Sequence, residues 1–177
     1  MTANHVAAIT KGTVCEVGSL ASDQIEQLTH ILIAVTADGA SVGYLPPLDP
    51  DEARRYWAGV IRPGNILLIA EHNGRIVGTA QLELAMKLNA RHRAEVNKVL
   101  VNPSCQRQGI GRRLMEALEE VARREGRTLL HLDTREDDGS NDLYRRMGFT
   151  EAGRIPNWAR SASGSLDGTV FYFKELN

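Results

Sequence analysis

The sequence predicts an α/β fold, a mixed and mostly antiparallel sheet flanked by helices, and three features predict it. Segments of strand and helix character follow in the order strand, two helices, a run of three strands, then helix, strand, helix and closing strands. Asn73-Gly74 sits between two apolar runs, a two-residue hairpin signal that makes the middle of the sheet antiparallel. From Gly109 to Glu125, Ile110, Leu114, Leu118, Val121 and Ala122 recur on one helical stripe, with charges on the opposite face.

Residues 1–11 read as a loose end ahead of a first strand, Thr13 to Val17. Ser22 to Ala37 is a helix by the spacing of Ile25, Leu28, Leu32 and Val35, capped by Ser22 or Asp23. Asp38 to Tyr44 breaks it. A second helix starts at Asp49, where Pro50 suits the first helical position and Glu52 suits a capping box, and runs to near Pro63-Gly64. Ile66 to Glu71, Arg75 to Leu84 and Arg93 to Val101 are strands, the last halted by Asn102-Pro103. The long helix that follows is closed by Gly126. Thr128 to Thr134 is a buried strand and Ser140 to Met147 a short helix with Gly148 just past it. Phe149 to Arg154 and Thr169 to Leu176 are the last strands, joined by a polar, Ser/Gly-rich loop at 155–168 that carries Trp158. With no repeat and no linker, residues 1–177 read as a single domain.

The chain is 177 residues long, 42% hydrophobic and 24% charged, enough for a core without staples. A net charge of -1 argues against nucleic acid as the main partner, since phosphate neutralisation needs a basic surplus. Cys15 and Cys105 have neither metal-ligand spacing nor a disulfide framework, which implies a reducing compartment and no metal. No apolar run approaches the roughly 18 residues of a spanning helix, and Met1 to Lys11 lack a signal pattern. The expectation is a cytoplasmic protein without a membrane partner, either monomer or homodimer.

The most informative stretch is Val101-Asn102-Pro103-Ser104-Cys105-Gln106-Arg107-Gln108-Gly109-Ile110-Gly111-Arg112, a strand end, a glycine-containing loop and a helix start. Amides at a helix start lack internal partners and carry the positive end of the dipole, so they suit phosphate. Gly109 and Gly111 let a ligand approach the main chain, and Arg107, Arg112 and Arg113 add charge at the rim. The pattern is neither the P-loop nor the dinucleotide fingerprint. It resembles the acetyl-CoA signature of the GNAT N-acetyltransferases: Val101-x-Pro103, Gln106-x-x-Gly109-x-Gly111, then an amphipathic helix. His131-Leu132-Asp133-Thr134 and Tyr144-Arg145-Arg146-Met147-Gly148-Phe149 continue the likeness in order and spacing.

That resemblance implies a GNAT fold whose sheet splays between two central strands at the acetyl-CoA site. It implies that Gln106, Arg107, Gln108, Gly109, Ile110, Gly111 and Arg112 line the pyrophosphate, and that Val99, Leu100 and Val101 run beside the pantetheine arm as an added strand would. A closer likeness, to the tabtoxin-resistance type of acetyltransferase, rests on Asp38 to Tyr44, Ala94-Glu95-Val96-x-Lys98, Leu129 to Thr134 and Tyr172-Phe173-Lys174. It implies an amino-acid-like acceptor and a protective role.

Acetyl transfer from a thioester to an amine needs a neutral amine, a donor for the oxyanion and a proton for the leaving thiolate. Tyr144 matches the family's catalytic tyrosine and is the expected acid. Glu95, expected by strand alternation to share a face with Asn97, Val99 and Val101, is a candidate base. Asp133 and His131, on one face of the next strand, are expected to orient the ammonium or relay its proton. Cys105 has no histidine nearby in sequence, against a covalent route. Asp137, Asp138 and Asn141 lie where some relatives place a cofactor-contacting asparagine, although Asn141 does not align cleanly. The acceptor pocket is expected from Ser41 to Leu45, Asn157 to Gly164 and Trp57, with Tyr44 and Trp158 closing over the ligand. Two other readings stay open, a protein N-terminal or lysine acetyltransferase and a non-catalytic acyl-CoA-binding regulator.

Overall fold

A computed structural model describes residues 12–177, so the expected loose end at 1–11 falls outside the described residues. The strands are β1 (Thr13–Val17), β2 (Asn65–His72), β3 (Arg75–Leu84), β4 (Arg93–Val101), β5 (Leu129–Arg135), β6 (Thr150–Arg160) and β7 (Leu166–Glu175). The helices are α1 (Ser22–Ala37), α2 (Pro50–Ala58), α3 (Ile110–Arg124) and α4 (Ser140–Arg146). The strands form one seven-stranded sheet in the order β1-β2-β3-β4-β5-β7-β6, antiparallel at every seam except the parallel pair β4 and β5. Asn73 and Gly74 both take positive φ, the backbone of a primed two-residue hairpin.

Period-two alternation divides the core into two. On one face, Leu114, Met115 and Leu118 of α3 pack against Leu68, Leu82, Val96, Leu130 and Leu132. On the other, Leu28 and Leu32 of α1 and Trp57 of α2 cover Leu67 and Ile69. Trp57 is 0% exposed, so it is core and not the acceptor-pocket residue expected. The α1 start also differs from expectation. Ala21 occupies the cap position, and Gln24 Oε1 accepts its N–H at 3.0 Å. Asp49 does cap α2, its Oδ1 accepting the amides of Asp51 at 2.7 Å and Glu52 at 3.1 Å. That helix stops at Ala58, short of Pro63-Gly64. Val60 turns into the core there, and its carbonyl accepts Asn65 Nδ2 at 2.8 Å.

Two irregularities shape the centre of the sheet. In β4, Asn97 lies opposite Gln81 and Leu100 opposite Thr79, so Lys98 and Val99 together face one β3 residue. This is a β-bulge, with Lys98 at φ 50. It reverses the alternation. Ala94 and Val96 belong to the α3-side core, and beyond the bulge Val99 and Val101 pack against that same side while Leu100 joins the other. Glu95 and Asn97 therefore do not share a face with Val99 and Val101. The second irregularity is the β4–β5 seam, which pairs only Arg93 with Leu129, Ala94 with Leu130 and Glu95 with His131. The rest of both strands parts.

Residues 155–168 are mostly strand, not the expected loop, with β6 reaching Arg160 and β7 starting at Leu166. β6 is an edge strand pairing with β7 alone, bulged between Glu151 and Gly153 and between Ile155 and Ala159. Exposure at every position but Ala159 explains its polar composition, and an edge tolerates Pro156.

Candidate functional site

The loop between β4 and α3 leads into a helix start whose first amides are available. Asn102 begins it as an Asx turn, its Oδ1 accepting Ser104 N–H at 3.1 Å, and a short 3₁₀ turn over Pro103–Cys105 follows. Arg107 (φ 61) and Gly109 (φ 76) then take left-handed backbone, the alternation that points successive amides into one concavity. In α3 the amide of Arg113 is the first to bond back, to Gly109 O at 3.1 Å. Among the described residues no backbone carbonyl takes the amides of Gly109, Ile110, Gly111 or Arg112. Gly111 lies beside the gap: a Cβ there would meet Leu143 at 3.5 Å and Val101 at 3.8 Å.

The loop's side chains divide the work. Gln106 Nε2 donates back to Val101 O at 3.4 Å and braces the strand end. The Arg107 guanidinium reaches to within 3.8 Å of where a Gly139 Cβ would stand, bringing positive charge across the gap to the start of α4. Gln108 is half-buried. Arg112 pairs with Glu116 at 2.7 Å on the open helix surface. Arg113 turns the other way and donates to Gly12 O at 2.6 Å, so it is an anchor for the start of β1 rather than a rim charge.

Tyr144 projects from α4 into the same side. It is 6% exposed, with its ring edge-on to Phe149 at 5.9 Å and tilted to Tyr172 at 6.0 Å. Burial foremost, and the charges of Asp138 and Asp133, push its phenol well above the ordinary range, against a hydrogen bond with Ser140. The group stays protonated at any working pH. Ser140 Oγ is itself 2.8 Å from Thr134 Oγ1, in the part of β5 that has left β4. Asn141 spends its side chain within the fold: its Nδ2 donates to the carbonyls of Arg135, Glu136 and Asp138, and its Oδ1 accepts the Tyr172 hydroxyl at 2.9 Å. It straps the β5–α4 turn to the sheet.

Glu95, His131 and Asp133 lie on the opposite face. Glu95 sits on the last shared rung, and burial, followed by Glu83 and Asp133, raises its carboxyl pKa. Asp133 lies beyond that rung, with Oδ2 accepting Thr169 Oγ1 at 2.9 Å. His131 Nε2 is 3.4 Å from Arg93 Nη1, and burial, helped by that guanidinium, lowers its pKa. The gap in the sheet therefore separates two sets of groups: amides and a protonated phenol on the α3 side, two carboxylates on the other.

Sequence reasoning missed a member of the second set. The bulge swings Lys98 onto the carboxylate face, where its Nζ lies 5.6 Å from the Tyr56 ring centroid. Tyr56 is held in turn by Gln81, whose Nε2 donates to the hydroxyl at 2.7 Å. A positive φ at a lysine leaves no trace in a strand pattern. The visible signal is a lysine next to the apolar run Val99-Leu100-Val101.

On this face a cavity of about 250 Å³ opens between the α1–α2 loop and the β6–β7 turn. Ser41, Tyr44 and Leu45 of the loop line it, as do Ala159 to Ala162, Arg135 and Asp167. Tyr44 stacks edge-on to Tyr56 at 6.0 Å. Trp158 packs edge-on against Phe171 at 5.5 Å and is 52% exposed, outside this cavity.

Comparison with known proteins bears on this geometry. The model of the acetyltransferase (GNAT) family matches residues 28–149. An uncharacterised N-acetyltransferase from the hisH-hisA intergenic region of Azospirillum brasilense is 32% identical over 131 residues, 72% of this chain and 78% of that protein. Phosphinothricin N-acetyltransferase of Alcaligenes faecalis is 30% identical over 168 residues, 92% of this chain and 83% of that one. Among solved structures, a putative acetyltransferase from Salmonella typhimurium with acetyl-CoA superposes with a TM-score of 0.78 at 22% identity, over 95% of each chain.

Proposed function

This chain belongs to the acetyltransferase (GNAT) family and is an N-acetyltransferase, and we propose that it moves acetyl directly onto the amine of a small amino-acid-like compound. Acetyl-CoA is the donor, supplying an acetyl group activated as a thioester. The observation that carries the reading is the three-rung β4–β5 seam, opening beside a helix start where, among the described residues, no backbone carbonyl takes the amides of Gly109 to Arg112. A diphosphate fits such a loop. Residues 107–112 would hold it, and the open edge of Val99, Leu100 and Val101 would pair with the amides of the pantetheine arm.

The chain's own groups then have separable tasks. Tyr144, kept protonated by burial, gives its proton to the leaving sulfur. Glu95, whose affinity for a proton is raised by burial and neighbouring carboxylates, takes one from the acceptor's ammonium, directly or through water. Asp133, fixed by Thr169, orients that ammonium. His131, turned to Arg93, stays neutral and helps to fix the last shared rung.

The two elements that approach each other around the 250 Å³ cavity favour a small acceptor over a polypeptide. The name of the Alcaligenes faecalis relative, matched over 92% of this chain, supports an amino-acid-like acceptor and a role in detoxification. The test is an acceptor panel with acetyl-CoA, reading free thiol. We expect release with small amino compounds and little with peptides. Acetyl-CoA binding without thiol release on any amine would point instead to a sensor.

A further inference from the structure

Lys98 is the most unusual charged residue of the acceptor face. Its left-handed backbone is a conformation that a non-glycine residue adopts at a cost. In regular alternation residue 98 would point with Ala94 and Val96 into the α3-side core; the bulge turns it to the carboxylate face instead. Its ammonium reaches under the α1–α2 loop, 3.8 Å from where a Gly43 Cβ would stand, and faces the Tyr56 ring.

The side chain is half-buried, and among the described residues the ammonium makes no hydrogen bond or ion pair. Tyr56 offers only a π-face at 5.6 Å. Glu95 and Asp133 are close enough to act on its charge, while the Asp133 carboxylate accepts a hydrogen bond from Thr169. Burial dominates and lowers its pKa. A partly desolvated cation that its neighbouring carboxylates reach only at a distance favours an anion in direct contact. Held beside two carboxylates that suit an ammonium, it leaves room for one further anion. The ligand that satisfies all three groups is a zwitterion.

We infer that Lys98 is the specificity residue of the acceptor site, binding the acid group of an amino acid whose amine faces Glu95 and Asp133. This rests on the acetyltransferase reading above and narrows it to acceptors that carry an acid group beside the amine. Cadaverine-like diamines and amino amides then lack an anion for Lys98 and leave it unpaired. Their penalty falls on binding rather than on the chemical step.

The experiment pairs each L-amino acid of a panel with its carboxamide and its decarboxylated amine, measuring kcat and KM by thiol release. The same acids are titrated calorimetrically into protein saturated with CoA. Wild type is expected to favour acid over carboxamide by tenfold or more in kcat/KM, mostly through KM. Lys98→Met, which keeps side-chain length at the same backbone, is expected to erase that preference, bringing the acid-to-amide ratio in kcat/KM close to one; Lys98→Arg is expected to restore part of it. Acid binding should weaken in parallel in the calorimeter. An acid-to-amide ratio that is the same in wild type and Lys98→Met overturns the inference, as does a wild type that prefers amides or simple amines. Thiol release on those amines would still uphold the acetyltransferase reading. Absence of release on every amine would defeat that reading, and absence of acid binding in the calorimeter would defeat the inference independently.

Discussion

At the scale of single residues, proton inventory separates the candidate groups. Tyr144 is buried with its ring against Phe149 and Tyr172, and burial keeps its proton on. Tyr144→Phe removes the hydroxyl with little change in packing, so kcat should fall by roughly 100-fold or more while KM for acetyl-CoA hardly moves. Steady-state thiol release checks this, and an unchanged kcat would take the phenol out of the reaction. Gly111 offers the complementary test. A side chain there meets only ordinary contacts with Leu143 and Val101, and an acidic residue in a helix's first turn does not threaten α3. Gly111→Asp should therefore fold, yet weaken CoA binding at least about tenfold, because its carboxylate faces the diphosphate. Calorimetry with CoA, beside a melting curve for the variant, separates affinity from stability.

At the scale of elements, close approach of α3 to the sheet sets where the loop amides point. Gly78 makes it possible: a Cβ on β3 there would stand 2.9 Å from Leu100 O and 3.2 Å from Ile110 Cγ2 and Leu114 Cδ1. Gly78→Ala should cost about 1–3 kcal/mol by overpacking and, by lifting the start of α3, weaken CoA binding too. Chemical denaturation and CoA titration on one variant test both. Most elements were legible in sequence because period and punctuation agreed, as in α3 between Gly109 and Gly126, or the hairpin at Asn73-Gly74. The loop amides were legible for the same reason. Legibility failed where neighbours decide. β6 reads as a loop because an exposed edge strand lacks an apolar face. The Lys98 bulge breaks an alternation that sequence can only assume regular, and Trp57 looks like an aromatic beside a site until α1 and α2 close over it.

At the scale of the whole molecule, the sheet consists of two halves, β1 to β4 and β5 to β7, joined by three rungs, and the acceptor face beside that seam is charged at a cost to the fold. Glu95 shows the sign. Its folded pKa is raised by burial first, then by Glu83 and Asp133, with Arg93 and Lys98 opposing. The unfolded chain gives up this proton near the ordinary value of about 4.3. Between that value and the raised folded one the native state holds more protons, so stability falls as pH rises through the window and stays lowered above it. Below about pH 4 the carboxyl is protonated in both states and costs nothing. Glu95→Gln should therefore melt at a higher temperature than wild type at pH 7 to 8, the difference shrinking to nothing as pH falls below about 4. The same variant should lose turnover, since the amide cannot take the ammonium's proton. Melting curves across pH, with thiol release at pH 7 to 8, check both halves. A variant less stable than wild type at neutral pH would mean that attraction to Arg93 and Lys98 outweighs desolvation. A variant more stable and fully active would leave Glu95 a buried charge without a task. Greater stability with lost turnover is the outcome that ties the molecule's marginal stability to its chemistry.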